Sequence, residues 1–240
     1  IDLALQALSI NLRLNLAEIS GGTVVNVVPA RCEAIVATDS ALDLPVGGAI
    51  EATEFEGPIA QVVPPEVIAT AIRFIAGIKK YAAEGGGADP DYTEPTMTCN
   101  PGVIRSALGA LILDFELRPP PRLELDTVRS GVARVADEIT RLAAGMSVKL
   151  TESRANPGFR ASPGSEAVEM AMGALARAQL PLTAGVKAGC TEAGVYAAAG
   201  LSPIVIGPGP STGVIHAPNE YNLLSEVESA VRFYSALLEM

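Results

Sequence analysis

The spacing of apolar positions changes several times along the chain, and each change marks an element. Ile1-Asp2-Leu3-Ala4-Leu5-Gln6-Ala7-Leu8 has mixed helical spacing, which predicts a helix from residue 1 to about 14. Leu14 to Ser20 alternates as a strand and stops at Gly21-Gly22. Thr23-Val24-Val25-Asn26-Val27-Val28 is rich in β-branched residues and ends at Pro29, and Cys32 to Thr38 alternates again. These two runs are expected to be strands. Between residues 40 and 95 the pattern is broken by Pro45, Gly47-Gly48, Pro58 and Pro64-Pro65. One helix stands out there, Glu66 to Ala83, with prolines before it and Gly85-Gly86-Gly87 after it.

Periodicity returns at Cys99 to Ile104. Ala110 to Arg118 then reads as a strand stopped by Pro119-Pro120-Pro121. Leu125 to Ala144 predicts a helix with an apolar stripe of Val128, Val132, Val135, Ile139 and Leu142. Asp126 stands in its first turn or at its cap, and Gly145 at its end. Ser147 to Glu152 alternates as a returning strand. After a Pro-Gly linker (Asn156 to Gly164), the pattern gives a helix at 166–179, a short helix at 193–199, an apolar strand at 202–207 and a helix at 223–238.

The first part is therefore expected to be an α+β layer and the last part α/β, with a loop at a strand's carboxyl end where ligands bind. The boundary falls at about residue 158, giving domains 1–158, with a loop-rich stretch at 40–95, and 159–240. Tryptophan is absent and aromatics are 4% of the 240 residues, so the core is built from Ala, Val, Leu and Ile. A net charge of -10 argues against nucleic acid, which needs a concentrated basic face, and against an anionic membrane. No apolar run is long enough to cross a bilayer. Cys32, Cys99 and Cys190 are odd in number and widely spaced, which fits free thiols and a cytoplasmic setting.

Candidate chemistry gathers near the end, around the only histidine, His216. It follows Ser211-Thr212-Gly213 and precedes Ala217-Pro218, a setting that suits a metal ligand at a strand end or a surface histidine before the last helix. Asn219 and Glu220 read as caps of that helix. Arg118, between an apolar strand and three prolines, could grip a substrate carboxylate or pair with Glu116 or Asp126. Asn26, inside an apolar run that reads as buried, needs partners, either backbone or ligand. Cys190 has no histidine other than His216 to serve as its base, and GxSxG is absent, so cysteine- and serine-hydrolase readings fail. Gly85-Gly86-Gly87 lacks the GxxxxGK[ST] of a phosphate cradle.

Gly189-Cys190-Thr191-Glu192-Ala193, Gly207-Pro208-Gly209 and His216-Ala217-Pro218-Asn219-Glu220-Tyr221 resemble the C-terminal signature of the M20 metallopeptidase family. The likeness is to acetylornithine deacetylase, succinyl-diaminopimelate desuccinylase and the dipeptidases. Ser20 to Pro29 resembles the GG…N-[VA]-[IV]-P segment of that family's lid (dimerisation) domain, and Cys99 to Ile104 with Phe115 to Arg118 resembles the second half of the enlarged lid of its dipeptidases. The resemblance implies an α+β lid domain inserted before the C-terminal part of an α/β catalytic domain, and a homodimer formed through the lid. It implies a hydrolase that cleaves an amide next to a free carboxylate, in an N-acyl amino acid or short peptide, with a pair of divalent metal ions (zinc, or cobalt or manganese) polarising the carbonyl and activating water. His216 matches a metal ligand, Arg118 and Asn26 match lid positions that meet the substrate, and Gly189, Cys190 and Thr191 match a loop lining the pocket.

The family's H-x-D and E-E motifs are absent: there is one histidine and no Glu-Glu pair. No catalytic carboxylate is therefore assigned within this chain, and these 240 residues alone are expected to be inactive. The first residues read as the body of a helix without a cap or initiator methionine, which carries the expectation that sequence upstream supplies those motifs. The competing expectation is a non-catalytic binding or dimerisation module derived from the lid.

Overall fold

The computed structural model describes residues 1–10, 15–39, 50–59, 61–91, 95–143, 145–186, 191–209 and 219–240. It divides into two units. The first comprises residues 1–88, 94–119 and 125–153, and the second 89–93, 120–124 and 154–240.

Four antiparallel strands form the sheet of the first unit: β1 (Asn15–Gly21), β2 (Cys32–Ala37), β3 (Thr98–Ala107) and β4 (Ala110–Arg118), in the order β2-β1-β3-β4. A bulge between Leu16 and Glu18 changes the parity of β1, so that Leu16 and Ile19 both face the core. β3 and β4 join through a two-residue turn, Leu108 (φ 48°) and Gly109 (φ 76°); positive φ at both places suits the twist of a hairpin. Three helices belong to this unit: α1 (Asp2–Ile10), α2 (Pro65–Glu84) and α3 (Leu125–Leu142).

α2 is the hub of this core. Pro65 lies in its first turn, where a missing N–H costs nothing, and the Gly85 N–H closes its end on Tyr81 O at 2.7 Å. Ile68 and Ile75 pack with Leu5 and Leu8 of α1, Leu16 and Ile19 of β1, and Ile104 of β3. Phe74 and Ile78 pack with Ala136 and Ile139 of α3, with Cys99, Phe115 and Leu117 at the border of that cluster. Phe74 meets Phe115 edge to face, with ring centroids 5.7 Å apart. Gly131 of α3 leaves room for the Tyr81 ring, whose hydroxyl donates to Thr127 O at 3.2 Å.

The second unit contains α4 (Glu166–Arg177), α5 (Ala193–Ala198) and α6 (Leu224–Leu238). Ala171 and Ala174 of α4 let Phe233 and Ala236 of α6 approach closely, and Ile204 packs at the edge of that cluster. None of the helices among the described residues is long and apolar enough to cross a membrane.

The mixed α and β architecture expected from the spacing is present, with four strands and six helices among the described residues. Several expectations are corrected. Thr23–Val28 is a turn-containing loop, with Val24 49% and Val28 77% exposed, because the chain turns away at Gly22 (φ 76°). Ser147–Glu152 pairs with no strand among the described residues. It lies along α3, held by Arg129 bonding both Glu152 carboxylate oxygens at 2.9 and 3.0 Å, and by Val148 N donating to Thr140 Oγ1. Residues 202–207 have no described strand beside them, and only Ile204 is packed on the α4–α6 cluster. Leu142 leaves the predicted stripe at 62% exposure, since α3 ends there. α6 begins after Leu223, so neither Asn219 nor Glu220 is its cap.

Candidate functional site

The turn that carries Asn26 is built by two close backbone approaches. A Cβ on Gly22 would collide with the Gly102 carbonyl, and a Cβ on Gly102 would collide with the backbone of Val25. Glycine at both places lets the loop lie directly on β3 at its Pro101–Val103 irregularity. Asn100 then fixes the loop: its side-chain amide donates to Val25 O at 2.7 Å and Val27 O at 3.1 Å. Asn26 stands between those two carbonyls and is exposed. The burial expected for it from its apolar neighbours is therefore wrong. The run is apolar, but its backbone is held from outside instead of being laddered into the sheet.

Asn100 pairs across the ladder with Glu116, and Thr98 with Arg118. Thr98, Asn100, Glu116 and Arg118 thus share the sheet face opposite the one whose Cys99, Phe115 and Leu117 meet the helices. Arg118 Nε donates to Glu116 Oε2 at 2.8 Å, and its Nη2 lies 2.8 Å from the same oxygen. Of the two readings of Arg118, the ion pair with Glu116 is the one formed here. The Arg118 side chain keeps 40% exposure and Glu116 26%. One end of this sheet face therefore gathers the Asn26 turn, the Asn100 amide and the Arg118 guanidinium.

Thr191 belongs to the second unit and is half-buried; its hydroxyl oxygen accepts the Ala193 N–H at 3.2 Å at the start of α5. Gly189, Cys190 and His216 lie outside the described residues. Among the described residues no three His, Cys, Asp or Glu side chains come together to hold a metal ion. The described residues thus do not fit a metal centre by themselves. Nor do the described thiols offer a nucleophile. Burial pushes the Cys99 thiol up to about 11, with Lys79 lowering it less than burial raises it, and burial also raises Cys32.

The family model for peptidase family M20/M25/M40 matches residues 21–240. The chain belongs to that family. The match starts at Gly21, the end of β1 from which the Asn26 turn departs, and runs through α6 to the last residue. An M20/M25/M40 chain is a metallopeptidase-type hydrolase, from a metal-dependent family whose substrates are peptides or small molecules. No curated protein matches the chain.

Sequence reasoning missed two residues that shape this chain. Asn100 carried a signal, since asparagine is depleted in strands and here sits inside one beside Pro101-Gly102. Asp89 carried none: Asp89-Pro90-Asp91 after three glycines reads as a flexible loop, yet Asp89 is 1% exposed.

Proposed function

We propose that this chain belongs to a hydrolase that cleaves the amide of an N-acyl amino acid or short peptide with a free carboxylate, of the deacetylase, desuccinylase or dipeptidase kind. The observation that carries the proposal is the gathering of an exposed amide turn and a guanidinium on one sheet face, in a chain of the M20/M25/M40 family. Arg118 receives the substrate carboxylate, which displaces Glu116 from the guanidinium; a bidentate carboxylate is the geometry a guanidinium favours. Asn26 meets the oxygen on which charge develops, a task that suits a donor held in place before the reaction. Gly189, Cys190 and Thr191 line the pocket, and His216 is a ligand of a divalent metal, zinc or else cobalt or manganese.

In this reading residues 1–158 form a lid and dimerisation domain and residues 159–240 a portion of the catalytic domain. Edge strands β2 and β4 are the surfaces through which two copies pair, in a cytoplasmic setting. The H-x-D and E-E motifs that the resemblance assigns to the two-metal centre are absent, so the 240 residues alone do not turn over substrate.

The test is hydrolysis of N-acetyl and N-succinyl amino acids and of dipeptides, with cobalt or zinc supplied. It compares the 240-residue chain with the natural gene product that contains it. Turnover by the gene product, impaired by Arg118→Ala mainly in KM for substrates with a free carboxylate, supports the proposal. Turnover by the 240-residue chain overturns the claim that it lacks a complete centre. A gene product without turnover on any of these classes leaves the second reading, a lid-derived binding or dimerisation module.

A further inference from the structure

Asp89 is the only charged residue that is fully buried among the described residues, at 1% exposure. Its Oδ1 accepts the Asp91 N–H at 3.3 Å, while its Oδ2 accepts no hydrogen bond. A buried carboxylate in that state needs compensating charge. Arg122 Nε stands 3.3 Å from Oδ2, and an Arg160 Nη2 stands 3.7 Å from Oδ1 and also pairs with Asp91. Both arginines come from stretches distant in sequence that share the second unit with Asp89.

The segment from Arg154 to Arg160 is held at three further points. Gly158 lies on Pro121, where a Cβ would stand 2.9 Å from the Pro121 Cα. Gly194 of α5 has no room for a Cβ against the Pro157 carbonyl. Arg154 pairs with Glu192 across 3.8 Å. One end of the segment is thus fixed on Asp89, and the other on residues 192–194, beside Thr191.

We propose that Asp89 is a positioning residue: acting through Arg160 and the 154–160 segment, it sets the place of Thr191 and the start of α5. The link to function rests on the reading of Thr191 as a pocket residue; the link to position rests on the contacts alone. Loss of the carboxylate leaves Arg160 with Asp91 as its remaining partner and lets Arg122, 63% exposed, return toward water, so the consequence is local.

The test is amide hydrogen exchange, read by mass spectrometry, on wild type, Asp89→Asn, Arg160→Gln and Arg160→Lys. In Asp89→Asn and Arg160→Gln, exchange at 191–198, where the Gly194, Val195 and Tyr196 amides are hydrogen-bonded, rises about tenfold or more, while α4 and α6 keep their protection. Arg160→Lys retains the cation and holds the wild-type pattern. Unchanged exchange at 191–198 in Arg160→Gln overturns the proposal. So does equal loss across α4 and α6, which marks a residue serving stability alone, or loss in Arg160→Lys equal to that in Arg160→Gln. The readout does not involve turnover or metal, so an unchanged pattern leaves the hydrolase proposal standing, and an inactive protein still tests the contacts.

Discussion

Replacing Asn100 by alanine probes the support under the Asn26 turn. The substitution removes two donated hydrogen bonds, to Val25 O at 2.7 Å and Val27 O at 3.1 Å. A hydrogen bond of this kind contributes about 1 kcal/mol net, so the pair contributes about 2 kcal/mol. Val25 and Val27 are half-buried, and water reaches carbonyls at such positions, which holds the loss to about 1–2 kcal/mol. The apolar clusters around Ile104 and Phe74 do not include Asn100, so the surface exposed on unfolding stays the same. Urea unfolding should then show a midpoint lower by about 0.5–1 M with an unchanged slope. Hydrogen exchange should quicken at residues 22–28 before it quickens in β1 or β4. Asn100→Asp keeps the shape but turns an acceptor toward the two carbonyls, so its loss exceeds that of Asn100→Ala. If Asn100→Asp proves as stable as wild type, or the exchange of 22–28 does not change, the amide is not what holds this turn.

Three further outcomes follow from the packing and charges. Gly102→Ala forces a Cβ into the Val25 backbone and should cost about 1–3 kcal/mol, whereas Gly164→Ala, with open space around it, should leave the urea midpoint within error. Phe74→Ala empties the contact with Phe115 and should cost about 3–5 kcal/mol in the same assay; a loss below about 1 kcal/mol would mean that the α2–sheet core is not the one described. The Cys99 thiol is raised from 9.0 to about 11, so the folded state favours its neutral form. The stability this contributes is complete below 9.0 and is lost as pH rises toward about 11. The stability difference between wild type and Cys99→Ala should therefore shrink over that interval, and a pH-independent difference would refute the assignment.

Much of the first unit was legible because its signals are local. Pro65 and Gly85 frame α2, the Val128–Ile139 spacing gives α3, and Ala110–Arg118 alternates as β4. The misreadings share a cause. Alternation at Ser147–Glu152 and the apolar run at 202–207 report what a pleated surface accepts, not whether a neighbouring strand is there. Val24 to Val28 has strand propensity, but the contact of Gly22 with Gly102 and the Asn100 amide capture its backbone first. Asp89 was illegible because its partners, Arg122 and Arg160, are brought to it only by the fold. Of the candidate site, the sequence offers Arg118 both a substrate carboxylate and the Glu116 pair that forms, while the apolar neighbours of Asn26 imply a burial that the fold does not give it.

The central claim is that His216 is one ligand of a metal centre that these 240 residues do not complete. Calorimetric titration of zinc or cobalt, into the 240-residue chain and into the natural gene product that contains it, tests this most directly when each is compared with His216→Ala. The account predicts tight binding by the gene product alone, lost with His216→Ala. Absence of binding by the gene product, or binding indifferent to His216→Ala, would contradict it.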